Sequence, residues 1–312
     1  MTAPETLSHE QRTADEPRDR LLHQAILARV TDVNDRIKTF RFAINDSSGI
    51  NFKPGQWLDL HIPGIDQAGG FSITSSPRYA VPDPDDEDHI PFFELAVMRS
   101  PDNPAAAWLW QPPDDILGHE VDVRVGGSFV WPPPGVDMSK IKRAIFVAGG
   151  VGINPLRSML AYLNEENTHL ECRLLYSTKV PSRGTEPGEV LFLPELLDLF
   201  RKPRSLATKD RLELFFTDAW DGSKVDRGND EPIYPLMSLT LPQMDSQTQV
   251  PISAWTHRIE ETALSSAVGK RDEAPYTVFY VCGPPAMADY VTQYFHKQPG
   301  VAPEHVFCEK WW

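Results

Sequence analysis

The run Ala144-Ile145-Phe146-Val147-Ala148 passes without a polar residue into Gly149-Gly150-Val151-Gly152-Ile153-Asn154-Pro155. No other feature constrains the fold as tightly. A continuous apolar run reads as a strand buried on both faces, as in a parallel sheet covered by helices. The glycines permit a tight turn and a close backbone approach to a ligand. Asn154 is a favoured N-cap, and Pro155 suits the first helical position. A helix beginning there offers free amides and a positive dipole end, suited to a pyrophosphate. The run is not the full GxGxxG fingerprint. No acidic residue closes the next strand to grip a ribose, since Tyr176-Ser177-Thr178-Lys179 stands there. A turn that only joins strand to helix is the other reading of the same residues.

Tyr280-Val281-Cys282-Gly283-Pro284-Pro285 is a second buried strand, turning at Gly-Pro into a helix. In a doubly wound sheet, ligands sit at the carboxyl ends of the strands. Cys282, Gly283 and Pro284 would then share a crevice with Gly149, Gly150, Val151, Gly152, Ile153 and Asn154. Cys282 reads equally well as a small core residue. The rest of this half alternates: helix 155–163, strand 171–176, helix 192–200, strand 211–216, strand 276–281, helix 285–296 and strand 305–308. Such alternation predicts an α/β, Rossmann-like parallel sheet. Residues 218–250 are polar and broken by Gly and Pro, which predicts an inserted loop.

The first half has a different rhythm. Segments 24–33, 37–44, 56–62, 69–75, 90–98 and 119–125 are short, rich in Val, Ile, Phe and Leu, and separated by turn residues. Six such strands with one helical patch, Ala105 to Trp110, predict a small antiparallel β-barrel. Trp131-Pro132-Pro133-Pro134-Gly135 then interrupts any sheet. The expected organisation is a mobile polar tail over 1–20, a barrel over 21–137 and an α/β domain over 138–312.

A net charge of −14 argues against nucleic acid or an anionic membrane as partner. No stretch approaches the roughly 18 apolar residues that cross a bilayer. Three cysteines, Cys172, Cys282 and Cys308, are too few and too scattered for a disulfide framework or a zinc site, and no metal site is read. Free thiols fit a reducing compartment. Five acids, Asp83, Asp85, Asp86, Glu87 and Asp88, form either a solvated loop or a docking surface for a basic partner. The acidic N-terminus is unlike a presequence and points to the cytoplasm.

Taken in order, the motifs resemble the ferredoxin–NADP reductase superfamily from residue 25 to the C-terminus. Phe52-Lys53-Pro54-Gly55-Gln56-Trp57 resembles its "PGQ" strand entry. Gly69-Gly70-Phe71-Ser72-Ile73-Thr74-Ser75-Ser76-Pro77 resembles its flavin motif, usually Arg-x-Tyr-Ser followed by small residues and Pro. The resemblance implies a flavin-binding barrel holding FAD and a second domain holding NAD(P)H. Hydride would pass from nicotinamide to the flavin near Ser72, with Phe71 against the isoalloxazine. By the same resemblance Ser72, Cys282 and Glu309 are the catalytic candidates, and the C-terminal Trp312 covers the flavin face. Trp311 and Trp312 equally suit closing a core or a subunit contact. Gly-Gly-Phe-Ser, Arg124-Val125-Gly126-Gly127 and Phe307-Cys308-Glu309-Lys310-Trp311-Trp312 resemble one group of that superfamily, which is assigned to mitochondria.

Two departures stand out. Gly69 replaces the arginine that pairs with flavin phosphates, which removes a strong charge-assisted contact. Ala106 replaces the serine of a second phosphate segment, Gly-x-x-Ser-x-x-Leu, in Asn103-Pro104-Ala105-Ala106-Ala107-Trp108-Leu109. Two functions therefore compete. One is an NAD(P)H-dependent oxidoreductase that passes hydride to a flavin and electrons onward to an unknown acceptor, which is separate because no iron–sulfur motif is present and for which another protein is one candidate. The other is an NAD(H)-binding module that has lost flavin and acts as sensor or scaffold. A purely structural assembly partner is a third. Ser177, Lys179 and Arg183 are placed to reach a 2′-phosphate, which leaves NADH and NADPH both open.

Overall fold

The computed structural model describes residues 8–166, 168–179, 187–201, 210–217 and 252–310. The chain divides into two units. The first is Met1–Pro134 with Arg157–Tyr162, and the second is Gly135–Leu156 with Leu163–Trp312.

The N-terminal residues differ from the expected mobile tail. Residues 1–7 lie outside the described residues, but 8–20 are bound to the barrel. A short helix, α1 (His9–Arg12), is closed by a capping box of Ser8 and Gln11. Arg18 bridges to Gly126, the Asp19 amide donates to Val125 O at 2.8 Å, and the Gly127 amide donates to Pro17 O at 2.9 Å. The physical reason lies in Asp59, whose side chain is 0% exposed. A buried carboxylate needs countercharge and hydrogen bonds. Arg18 Nε (2.9 Å) and Arg124 Nε and Nη2 (3.1 and 2.9 Å) donate to its Oδ2. The polar composition that reads as a solvated tail is thus partly countercharge for the barrel.

The barrel strands are β1 (His23–Asp32), β2 (Ile37–Ile44), β3 (Trp57–His61), β4 (Gly69–Ser72), β5 (Phe92–Met98) and β6 (Glu120–Gly126). They pair antiparallel in the order β4-β3-β6-β1-β2-β5. An isolated bridge between Ile73 and Leu95 joins the two ends, so the sheet closes on itself and its edges are covered. Alternation chooses the inner face: Val121, Val123 and Val125 are buried while Glu120 and Asp122 are exposed. Phe42 and Phe93, register partners on β2 and β5, stack inside at 5.0 Å. Helix α2 (Pro104–Leu109) adds Ala105, Ala106 and Leu109 to this core, and α3 (Pro113–Ile116) adds Ile116.

The second unit is a parallel sheet of β7 (Arg143–Gly149), β8 (Glu171–Lys179), β9 (Arg211–Thr217), β10 (Ile252–Trp255), β11 (Thr277–Gly283) and β12 (Val306–Lys310). Its helices are the two ends of α4 (Ile153–Glu165), whose middle, Arg157–Tyr162, groups with the first unit, and α5 (Leu193–Arg201), α6 (Glu261–Val268) and α7 (Pro285–His296). Every residue of β7 and β11 is buried, as the continuous apolar runs require. Helix α4 buries Ile153, Leu156, Met159, Leu160 and Leu163, one face at helical spacing. β10 and α6 have no counterpart in the expected alternation, and the expected loop at 218–250 lies outside the described residues. The strand order is β10-β9-β8-β7-β11-β12. The chain therefore builds outward from β7, then returns to β11 on the other side of it. That makes the carboxyl ends of β7 and β11 a topological switch point, where ligands of open α/β sheets bind. No described helix is long and apolar enough to cross a membrane.

Candidate functional site

Both glycine-bearing turns leave the sheet at the switch point. β7 ends at Gly149, a single 3-10 turn spans Gly150–Gly152, and α4 follows at once. β11 ends at Gly283, and α7 starts at Pro285 after Pro284. Ala148 and Cys282 are register partners, so the two turns emerge side by side. A Cβ on Gly152 would lie 2.3 Å from Cys282 O and 2.8 Å from Gly283 N. A Cβ on Gly149 would lie 2.7 Å from Met287 Sδ and 2.8 Å from Pro284 Cδ. These glycines let the two turns touch. Gly150 differs: its φ is +54°, and a Cβ there would meet nothing within 4 Å. It is the open point of the turn, backbone facing free space at the entry to a thirteen-residue helix. That geometry fits a dinucleotide pyrophosphate.

Asn154 sits inside α4 and is buried, rather than capping it. The 3-10 turn takes over the cap's work, because the Ile153 amide donates to Gly150 O and Val151 O. Val151 and Ile153 are buried as well. Cys282 is fully buried and forms no disulfide. Glu309 is its register partner on β12, and Lys310 pairs with Asp289 of α7 at 2.7 Å. Ser177 is the register partner of Gly149 on β8, which puts Ser177 and the Lys179 strand end beside the glycine turn. The structure thus brings Gly149–Asn154, Cys282–Pro284 and Glu309 together in one unit. Trp311, Trp312 and Arg183 lie outside the described residues. Met287 was not foreseen, since one apolar residue in an amphipathic helix carries no signal until its contact with Gly149 is seen.

The barrel half of the expected site is packed differently. Ser72 is buried at the end of β4, opposite Trp57. Positions 69 and 71 share a face of the strand. A Cβ on Gly69 would lie 2.5 Å from Phe71 Cε2 and 2.5 Å from Ala105 Cβ. Phe71 belongs to the barrel core, so the ring expected to lie against a flavin fills the space beside Gly69 instead. At α2 the Ala106 amide is taken by the Asn103 side chain at 3.1 Å. With no cation at 69, no hydroxyl at 106, and the amide of 106 already bound, these residues do not fit a flavin pyrophosphate. Two residues the sequence did not flag hold the turn after β4: Arg157 Nη1 donates to Thr74 O and Ser158 Oγ to Ser75 O, both at 2.7 Å.

No family model matches the chain. It is 31% identical over 314 residues to oxidoreductase NAD-binding domain-containing protein 1 of Homo sapiens, covering 100% of this chain and 87% of that protein. The Bos taurus protein of the same name is 31% identical over 306 residues, covering 97% and 85%. Among solved structures, a ferredoxin NADP+ reductase from Neisseria gonorrhoeae with bound FAD and NADP superposes with a TM-score of 0.59 at 15% identity, covering 94% of this chain and 99% of that one. This likeness shows the fold, a reductase-type flavin-binding barrel followed by an NAD-binding α/β domain. With the sequence likeness, it shows that the chain belongs to the oxidoreductase NAD-binding domain-containing protein 1 family.

Proposed function

We propose that this chain is an NAD(P)H-dependent oxidoreductase whose nicotinamide half is intact and whose hydride acceptor exchanges, with no flavin kept as a resident group. The observation that carries this reading is Gly150, open to space on a left-handed backbone at the head of α4, beside the Cys282–Pro284 turn. Its exposed backbone, at the positive end of the α4 dipole, would receive the pyrophosphate. Ser177 and Lys179 lie along the neighbouring strand, on the side where a ribose or a 2′-phosphate would extend. Glu309, in register with Cys282, would place a carboxylate near the nicotinamide. The protein's part is alignment and electrostatics, since the redox chemistry belongs to the cofactor. A flavin, where one binds, supplies the nitrogen that accepts hydride. Phe71, Gly69 and Ala106 speak against holding its phosphates.

The second reading, an NAD(H)-binding module that has lost flavin, is favoured by Phe71 in the barrel core. Oxidation of NADH and of NADPH by the full chain, with and without free riboflavin, FMN or FAD, separates the two. Turnover that starts only when flavin is added supports the enzyme. Binding without turnover with any acceptor leaves the module. Flavin retained one to one through extensive dialysis would overturn the exchangeable acceptor.

A further inference from the structure

Four ligand-type side chains meet on the face of β3 that points away from the barrel core. Asp59 and His61 are two apart on the strand and share that face, while Leu58 and Leu60 point inward. His9 and Glu10 come from α1, packed over them. Ligand atoms of Glu10, Asp59 and His61 all lie within 4.8 Å of one another. His9 Nε2 is 3.5 Å from Asp59 Oδ1. The Asp59 side chain is wholly buried, and its Oδ2 takes the three arginine hydrogen bonds described above. Its Oδ1, with His9 Nε2 and His61 Nε2, is buried without a hydrogen-bond partner. Buried polar atoms are nearly always satisfied, and three exceptions converging in one place call for a missing partner. All three are atoms that ligate metals.

We propose that Glu10, Asp59 and His61, with His9 beside Asp59 as the fourth ligand, bind one divalent transition-metal ion that clips the N-terminal segment to the barrel. Two imidazoles and two carboxylates form a donor set suited to zinc and its neighbours. Arg18 and Arg124 shape the site in two ways. They grip Asp59 through Oδ2 and leave Oδ1 turned to the cluster, the outer-sphere orientation that metal ligands need. They also neutralise Asp59 and Glu10, the latter through Arg124 Nη2 at 3.2 Å. A hard cation therefore gains little from charge, and the imidazoles decide: zinc, cobalt and nickel should bind, and magnesium and calcium should not. Ligands from residues 9–10 and 59–61 share no local spacing, so the sequence offers no metal signature. His9 also lies directly over β4, where a Cβ on Gly70 would fall 2.2 Å from its ring. The clip would fix the segment that covers the flavin-type strand.

The test uses the full chain, stripped with a chelator and titrated calorimetrically with Zn2+, then with Co2+ followed by absorbance. One equivalent of Zn2+ should bind, and Mg2+ should give no heat. His9→Ala and His61→Ala should each weaken binding by about tenfold or more, while exposed His169→Ala leaves it unchanged. Should either histidine variant unfold, Glu10→Gln at the more exposed rim serves instead and should also weaken binding. The Co2+ form should show ligand-field bands without thiolate charge transfer. Absence of stoichiometric Zn2+ binding, affinity indifferent to all three substitutions, or a thiolate band would overturn the site.

Discussion

Gly150 and Gly152 stand two residues apart in one turn and do opposite work. Gly152 is required by its neighbours: the Cβ of Gly152→Ala would lie 2.3 Å from Cys282 O, with both backbones fixed in register between β7 and β11. Overpacking of this kind costs about 1–3 kcal/mol, so a chemical melt of Gly152→Ala should show that loss. An unchanged midpoint would mean the two turns do not touch. The loss of a cation at Gly69 is legible in the sequence, but the fate of the space is not, because Phe71 and Ala105 come together only in the folded barrel. Gly69→Arg must displace the Phe71 ring. We expect it to destabilise the chain by about 1–3 kcal/mol and to confer no retained flavin, read as absorbance after gel filtration. Flavin held tightly by this variant would show that the phosphate position is merely short of a charge.

Elements buried on both faces announced themselves. β7 and β11 are legible because every position after the first, Arg143 or Thr277, is apolar or glycine, and β6 because its valines alternate with charges. β10 is a four-residue strand at the edge of the sheet, paired among the described residues to β9 alone and too short for a period to show. The docked segment 8–20 was invisible because ion pairs between residues 41 or more apart leave no local pattern. β9 carries a testable exception to its apolar rule. Glu213 is 6% exposed, and burial raises its pKa above 4.5, with Arg211 at 3.7 Å as a lesser, opposing influence. Above pH 4.5 the folded state thus holds its proton longer than the unfolded chain does. Stability is fully present below that pH and declines as pH rises through the folded pKa. Glu213→Gln, which does not titrate, should melt higher than the native chain at neutral pH, with the advantage gone below about pH 4.5. A lower melting point at neutral pH would show that the Arg211 contact outweighs burial.

At the scale of the whole chain, the order of the two units follows from motif order, a short-stranded barrel with a reductase-like strand entry and then a glycine turn after a buried strand. The candidate dinucleotide site was legible because it is built from contiguous turns, Gly149–Asn154 and Cys282–Pro284. Their meeting at a switch point was not, since that depends on the return of β11 to the far side of β7. Whether this turn receives a nicotinamide dinucleotide is read by calorimetric titration of NADH into the native chain and into Gly150→Ala. Gly150 has open space around it, so alanine there strains a left-handed backbone and projects a methyl toward the phosphates without crowding the protein. One site is expected on the native chain, with binding at least about tenfold weaker, or 1.4 kcal/mol, in a folded variant. No binding by the native chain, or equal affinity in both, would contradict a dinucleotide site at this turn.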